Sequence, residues 1–172
     1  MEKLIEKLEI YHFINYIIPG AVFISICNTV FGLACVEANV AVAILEYYFT
    51  GLVLSRIGSI LIKPILKNTK IIKNTEYSNF IKASEKDSKV DVLQREANQY
   101  RTYIAMFITL LCIQIYYCIA NREFSVFIFV FIAFAVLFVL SYRKQVNFVV
   151  GRVEERIKEI NQKKVCEVVE KM

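Results

Sequence analysis

The chain lacks the residue groupings on which most enzyme active sites are built. It has a single histidine, His12, which comes before any plausible acidic partner. No glycine-rich loop of the phosphate-binding kind is present. The five cysteines show no Cys-x-x-Cys or similar spacing, so neither a metal site nor a disulfide framework is predicted. We therefore expect no enzymatic activity and no cofactor.

Charged residues are absent or nearly absent from four long runs: 13–36, 40–62, 102–121 and 124–142. The second run contains only Glu46 and Arg56, and the other three contain no charged residue. A hydrocarbon core about 30 Å thick needs about 20 apolar residues at 1.5 Å rise per residue. The sequence therefore predicts an all-α membrane protein with four transmembrane helices.

The basic residues are concentrated on one side of these predicted spans. Of the 21 Lys and Arg residues, only Arg122 falls in a predicted outer turn. Basic residues are retained on the cytoplasmic side of membranes, so the amino terminus, the middle segment and the tail are expected inside. The expected location is the bacterial inner membrane, crossed four times, with both termini cytoplasmic.

The chain divides into four predicted parts. Residues 1–62 hold an amphipathic surface helix at 2–11 and two spans, and residues 63–101 form a basic helical connector. Residues 102–142 hold two more spans, and residues 143–172 form an amphipathic tail. We expect the first span to kink or begin at Pro19-Gly20, and the last span, which is rich in phenylalanine, to face lipid.

The connector is expected to contain two helices, at 76–85 and 88–101. The second is predicted to be capped by Ser88, with Asp91 three residues later, and to continue into the third span. Asp87 and Asp91 are expected on a solvated face among lysines.

Glu46 is the most informative single residue, because it lies about 10 Å inside the predicted outer boundary. Burying a charge there costs about 2.5–3.5 kcal/mol unless it is paired, hydrated or protonated. In a symmetric oligomer it would form a ring of carboxylates that favours cations. The alternative is a hydrogen-bonded structural glutamate, paired with Arg122.

Other polar residues in the spans have two interpretations. They either form hydrogen bonds between helices or line a hydrated path beside Glu46. The candidate pore-lining residues are Ser25, Asn28, Gly32, Glu46, Thr50 and Gln114.

Two patterns predict helix association: a small-residue repeat, whose contact lies within one chain or between chains, and a tail pattern that predicts self-association of copies. Gly51, Ser55 and Ser59 form a small-xxx-small repeat. The tail carries about two heptads of a coiled-coil pattern from Val146 to Ile160. The candidate oligomer contacts are Gly51, Ser55, Ser59, Val150, Val153, Ile157 and Ile160.

Basic residues of the connector and tail are candidates for binding an anion. They would attract anionic lipid headgroups or form a cytoplasmic site for a phosphate-bearing ligand. The candidates are Lys63, Lys67, Lys70, Lys73, Arg95, Arg101, Arg143, Lys144 and Arg152.

Three segments carry a resemblance to known proteins: Asn15-Tyr16-Ile17-Ile18-Pro19-Gly20, the stretch from Tyr47 to Ser59, and the connector from Phe80 to Thr102. In these three segments the chain resembles small bacterial four-span membrane proteins. It is similar, more loosely, to membrane effectors of CBASS-like and Hailong-like anti-phage systems, in which a nucleotidyltransferase makes a nucleotide or oligonucleotide signal. The resemblance implies membrane depolarisation by an oligomeric channel, and it carries over no functional residue.

The expected function is thus an oligomeric channel or pore-forming effector, gated from the cytoplasm and acting in anti-phage defence. Its expected partners are the lipid bilayer, further copies of itself and a nucleotide or oligonucleotide signal. The alternative is a non-conducting membrane anchor or scaffold for a soluble partner protein. A transporter is disfavoured, because no inverted repeat or pair of broken helices is evident.

Overall fold

A computed structural model describes residues 2–33, 39–72, 76–122 and 124–170. Within these ranges every regular element is a helix. The elements are α1 (Glu2–Phe31), α2 (Val40–Ile57), a π-helical turn (Gly58–Ile62), α3 (Lys63–Asn68), α4 (Tyr77–Lys86), α5 (Lys89–Asn121) and α6 (Phe127–Glu170). The two predicted connector helices are therefore present, each shifted by one residue at its start, and the predicted all-α class is confirmed.

The first helix is longer than the sequence suggested. Its backbone runs without a break from Glu2 to Phe31, so residues 2–11 do not form a separate surface helix. The helix also does not begin at Pro19, which lies inside it and is buried. Proline removes one backbone hydrogen bond, and tolerance of this inside an apolar helix depends on close neighbours.

Pro64 is accommodated by a local widening of the second helix. In a regular α-helix its ring would collide with the carbonyl of Ile60, four residues earlier. The structure instead has a π-helical turn, in which the Lys63 N–H donates to the Gly58 carbonyl, five residues back. The chain thus continues in helical form through Pro64 to Asn68.

The start of α5 differs from the predicted cap. The Ser88 side chain makes no capping hydrogen bond. The Asp87 carboxylate takes this role, because its Oδ1 accepts a hydrogen bond from the Lys89 N–H at 3.1 Å. Asp87 therefore belongs to the folded framework, and the prediction that it is merely solvated is wrong.

Helix α5 is the element that the rest of the molecule shares. It contacts α1, α2, the π-helical turn, α4 and α6. Three apolar clusters lie along it, centred on Leu110, Ile104 and Val90 in turn. The end of the bundle that carries α3 and α4 is called the basic end below.

The outer surface of the bundle is apolar. Three helices are long and apolar enough to cross a membrane: Val40–Asn68, Lys89–Asn121 and Phe127–Gln162. The apolar part of α1, Asn15–Phe31, is shorter. Only 11% of the most apolar stretch of Phe127–Gln162 is buried within the chain. Large exposed apolar surfaces mark interaction with lipid or with other proteins, so the chain is membrane-associated.

The predicted lipid-facing character of the last span holds for only part of α6. Phe131 is buried, and Phe134 and Phe138 stack on Phe107 of α5 with ring centroids 5.0 and 5.6 Å apart. Phe129 is 62% exposed on another face. Offset stacking adds about 0.5–1.5 kcal/mol per pair beyond area burial, so this phenylalanine-rich helix is also a packing element.

Candidate functional site

Helix α2 has one face inside the chain and one face outside it. Ala43, Gly51 and Leu54 are buried. Residues spaced by three and four positions share a helix face, and a second such series is exposed. Its most exposed members are Phe49 (63%), Val53 (52%) and Ile60 (68%), and Arg56 is exposed among them.

Glu46 belongs to this second series, three residues before Phe49 and ten before Arg56. Its side chain is half-buried, but its Oε2 is fully buried and finds no hydrogen-bond partner among the described residues. No ion pair joins it to Arg122 within the described part of the chain. The described residues therefore give the Glu46 Oε2 atom no hydrogen-bond partner.

The remaining pore-lining candidates are not gathered onto one surface. Ser25 is exposed, and its carbonyl accepts a hydrogen bond from the Thr29 hydroxyl at 2.9 Å. Asn28 and Thr50 are half-buried, and Gly32 has a positive φ of 65° just after α1. Gln114 is 5% exposed, its Oε1 is unpartnered among the described residues, and it lines a cavity of about 430 Å³. A path lined by all of them does not exist within one chain.

The small-residue face of α2 is used inside the chain. A Cβ at Gly51 would lie 1.8 Å from the carbonyl oxygen of Tyr16, and one at Gly20 would lie 1.8 Å from that of Tyr47. The two glycines thus let the backbones of α1 and α2 touch, as small residues do in membrane helix pairs. Ser55 also lies on the side of α2 that faces α1, and Ser59 is half-buried in the π-helical turn. The oligomer contacts predicted here are therefore occupied by the chain itself.

Much of the predicted tail seam is also occupied. Val153 is 1% exposed and packs, together with Ile157, in a cluster that includes Ala83 of α4 and Val90 of α5, and Val150 is 7% exposed. Ile160 is half-buried. The heptad pattern is real, but its partners are α4 and α5 of the same chain. Oligomerisation stays a prediction and needs another surface.

The predicted anion-binding residues separate into three environments. Lys63, Lys67, Lys70, Arg143 and Lys144 are exposed. Arg152 is paired with Asp87, and Arg95 and Arg101 lie between helices. Lys73 lies outside the described residues.

Asp87 holds the far end of α6 to the turn between α4 and α5. Its Oδ2 accepts hydrogen bonds from Arg152 Nε at 2.9 Å and Arg156 Nε at 3.0 Å. The Lys89 N–H, together with these guanidinium groups, holds the pKa of the Asp87 carboxyl below its ordinary value of 3.8. No sequence signal pointed to this contact, because it joins residues 65 and 69 positions apart.

Arg101 is the most deeply buried basic residue of the basic end. It is 7% exposed, and its Nε has no partner among the described residues. Its guanidinium lies within hydrogen-bonding reach of the Tyr142 hydroxyl and close to Tyr16. Its backbone carbonyl packs against Gly58, where an added Cβ would lie 3.0 Å away. This residue therefore places a positive charge where α1, α2, α5 and α6 meet.

A polar cavity of about 60 Å³ opens beside this point. Its lining residues are Asn15, Tyr16, Ser55, Arg95, Asn98, Gln99 and Thr102. The four on α5 recur at steps of three and four, so they share one face. Arg95 and Ser55 were predicted to serve other roles, and the amide side chains carry no signal in the sequence, because their convergence depends on how α1 and α5 pack.

Within the described residues no group of His, Cys, Asp and Glu is placed to hold a metal ion. The site therefore consists of a carboxylate on an exposed helix face and a donor-rich polar cavity at the basic end. Comparison with protein-family models, with curated proteins and with solved structures finds no match for this chain.

Proposed function

We propose that the protein is a homo-oligomeric membrane channel that is gated from its basic end. The observation that carries this proposal is the half-buried Glu46, whose Oε2 has no partner among the described residues, beside an outward face of α2 where Arg56 lies among exposed apolar residues. Charges facing hydrocarbon are costly, and intramembrane charges normally face a protein interior or a water-filled path. Further copies of the chain covering this face would remove that cost and bring the Glu46 carboxylates around a common axis.

The proposed topology has four spans with both termini in the cytoplasm of a bacterial cell. The apolar part of α1 is the candidate for the fourth span, because Asn15–Phe31 at 1.5 Å rise covers about 26 Å of a hydrocarbon core about 30 Å thick. Segregation of Lys and Arg to the basic end supports the orientation. In a cysteine-free background, Asn121→Cys should react with an impermeant thiol reagent added outside intact cells, whereas Ser84→Cys should not. Labelling of Ser84→Cys would reverse the orientation.

Gating from the basic end is supported by helix continuity. Helices α5 and α6 pass from the basic end into the apolar part of the bundle without interruption. At the basic end they are joined by the Gln145 amide, which donates to Glu96 Oε2 at 2.6 Å. A ligand that shifts α5 against α6 there would move both spans, as two-state helix shifts do in other switches.

Charge neutralisation at Glu46 tests conduction. Purified protein in planar bilayers should pass a cation-selective current under a salt gradient. Glu46→Gln should lower the cation preference, because it removes the charge with little change of volume. Glu85→Gln, which removes an exposed carboxylate from α4, is the matched control and should leave selectivity unchanged. Equal selectivity of wild type and Glu46→Gln would contradict a Glu46-lined path.

The role in anti-phage defence rests on the resemblance to membrane effectors of nucleotide-signalling systems. It is tested by adding cyclic dinucleotides or short oligonucleotides to the cytoplasmic side of the same bilayers. The signal should open the channel, and paired reversal of Lys67 and Lys70 to Glu should weaken that response while leaving open-state selectivity unchanged. No response to any of these signals would remove the defence role and leave conduction to be judged on its own.

A membrane scaffold is the second candidate, and one observation favours it. A groove of about 680 Å³ between α5 and α6 at the basic end is lined by Val92, Leu93 and Phe148, with charged residues at its rim. Such a groove suits an apolar segment of a soluble partner. Gly151 lines it and has open space where a side chain would begin. The scaffold function would be favoured if the wild-type protein passed no current in planar bilayers and Gly151→Leu abolished the activity of the protein in cells.

A further inference from the structure

The hydrogen bonds around the small polar cavity leave it rich in donors. The Gln99 amide donates to Asn15 Oδ1, and the Gln94 amide donates to Asn98 Oδ1 at 3.3 Å. Each asparagine oxygen therefore accepts one hydrogen bond, and each asparagine keeps its NH₂ group for another partner. The Thr102 hydroxyl donates to the Asn98 carbonyl at 3.0 Å, whereas the Ser55 and Tyr16 hydroxyls have no such bond among the described residues.

Among the described residues that line the cavity, the one that carries a charge is basic. Arg95 lines it, and no described carboxylate forms an ion pair with Arg95. Glu96 is the single carboxylate on α5 after Arg95, and it is held on the α6 side by Gln145. The buried Arg101, with its unpartnered Nε, lies close enough to Tyr16 to add positive potential at the cavity wall. A donor-rich, positively charged cavity is complementary to an oxyanion.

The size and position of the cavity further restrict which ligands it can bind. A volume of about 60 Å³ is enough to admit a small polar group such as one phosphoryl group. Its residues lie where the apolar stretches of α1 and α5 begin, at the level of membrane headgroups. Any larger part of the ligand would remain outside the cavity.

We infer that this cavity is a phosphoryl-binding site, in which Arg95 and the amides of Asn15 and Asn98 donate to the oxygens of one phosphate group. The phosphate belongs either to a membrane phospholipid or to a soluble phosphate ligand. In both cases it joins α1 to α5 across the basic end. The site is independent of conduction, so silent bilayers would leave it standing.

Two probes distinguish the sources of the phosphate. Native mass spectrometry of the full chain in detergent, with added dioleoyl phosphatidylglycerol, measures lipid retention. Thermal unfolding in inorganic phosphate, against chloride at equal ionic strength, measures binding of a soluble anion. Tight retention of one lipid per chain supports the phospholipid, and a phosphate-dependent rise in Tm supports the soluble ligand.

Variants of the cavity make the inference falsifiable. Arg95→Gln should weaken the observed binding by about tenfold or more, because it removes the charged hydrogen-bond donor of the cavity. Gln99→Glu, which adds a carboxylate among the donors, should weaken it as well, and it guards against misfolding of the first variant. Lys82→Gln removes an exposed charge of α4 and should bind as the wild type does. No binding of either probe, or an equal loss in Lys82→Gln, would overturn the site.

Discussion

At the scale of single residues, the two glycines at the crossing of α1 and α2 determine how closely these helices pack. Each faces the backbone of the opposite helix with no room for a methyl group. The sequence suggested a close helix contact from Gly51, Ser55 and Ser59, and that contact exists. Its partner was unpredictable, because a small-residue stripe specifies close approach and not the surface that approaches.

Adding one methyl group at this crossing should separate the helices. Gly51→Ala would place its Cβ 1.8 Å from the Tyr16 carbonyl oxygen, so the backbones must move apart. We expect a loss of about 1–3 kcal/mol in the free energy of unfolding, as for other overpacked sites. Gly151→Ala is the matched control, because its Cβ meets nothing within 4 Å, and it should gain about 0.5–1 kcal/mol in helix propensity. Denaturant unfolding in detergent measures both, and equal effects would contradict the close crossing.

Asp87 should give the basic end a stability that depends on pH. Its pKa is lowered in the folded chain by the Lys89 N–H and by Arg156 and Arg152, so folding favours the charged form. The stabilisation is therefore complete above the ordinary value of 3.8 and is lost as pH falls through the folded pKa. The Tm of the wild type should exceed that of Asp87→Asn by a constant amount from pH 8 to pH 5. The difference should close below 3.8.

The control for this pH dependence is Asp91→Asn. Asp91 is half-buried on α5, four residues after Asp87, and forms no ion pair among the described residues. Its Tm should follow the wild type at every pH. A gap between wild type and Asp87→Asn that persists unchanged at pH 3 would show that the carboxylate acts by shape and not by charge.

At the scale of elements, helix positions followed from the sequence and helix partners did not. The connector helices begin within one residue of their predicted starts, and each of the four apolar runs is largely helical, because local sequence periodicity determines where a helix forms. The exceptions are Pro19 and Pro64, where tertiary packing and a π-helical turn carry the helix past a residue that normally ends it. The tail seam found its partner within the chain, because α4 and α5 are tethered nearby at high effective concentration.

The tail offers a direct test of intrachain against interchain packing. Val153→Ala removes two methyl groups from a site that is 1% exposed, so it should lower the free energy of unfolding by about 1–2 kcal/mol. The mass of the assembly should not change. Val136→Ala, at a position of α6 that is 53% exposed, should leave stability nearly unchanged. If Val153→Ala kept its stability but the oligomer dissociated, the tail seam would be an interface between chains.

At the scale of the whole molecule, the bundle is unequally covered. The inward faces of α2 and α5 are packed, and the outward face of α2 presents Phe49 and Arg56 to its surroundings, with the half-buried Glu46 at its edge. The sequence identified the Glu46 charge as energetically unfavourable in a span, but it did not indicate the orientation of the side chain. That orientation depends on which face of α2 packs against α1, and the glycines determine this. A carboxylate at the edge of this face makes assembly the simplest way to satisfy it.

Cross-linking through this face tests the assembly in the membrane itself. In a cysteine-free background, Phe49→Cys places a thiol on the outward face of α2, and a symmetric interface brings equivalent residues of two copies together. Mild oxidation of intact membranes should therefore give a disulfide-linked dimer in high yield. Phe129→Cys, at an equally exposed position of α6 (62% against 63%), controls for random collision in the bilayer. Equal yields from the two variants would mean that α2 faces lipid, and the charge at Glu46 would then have to be neutralised without a second copy.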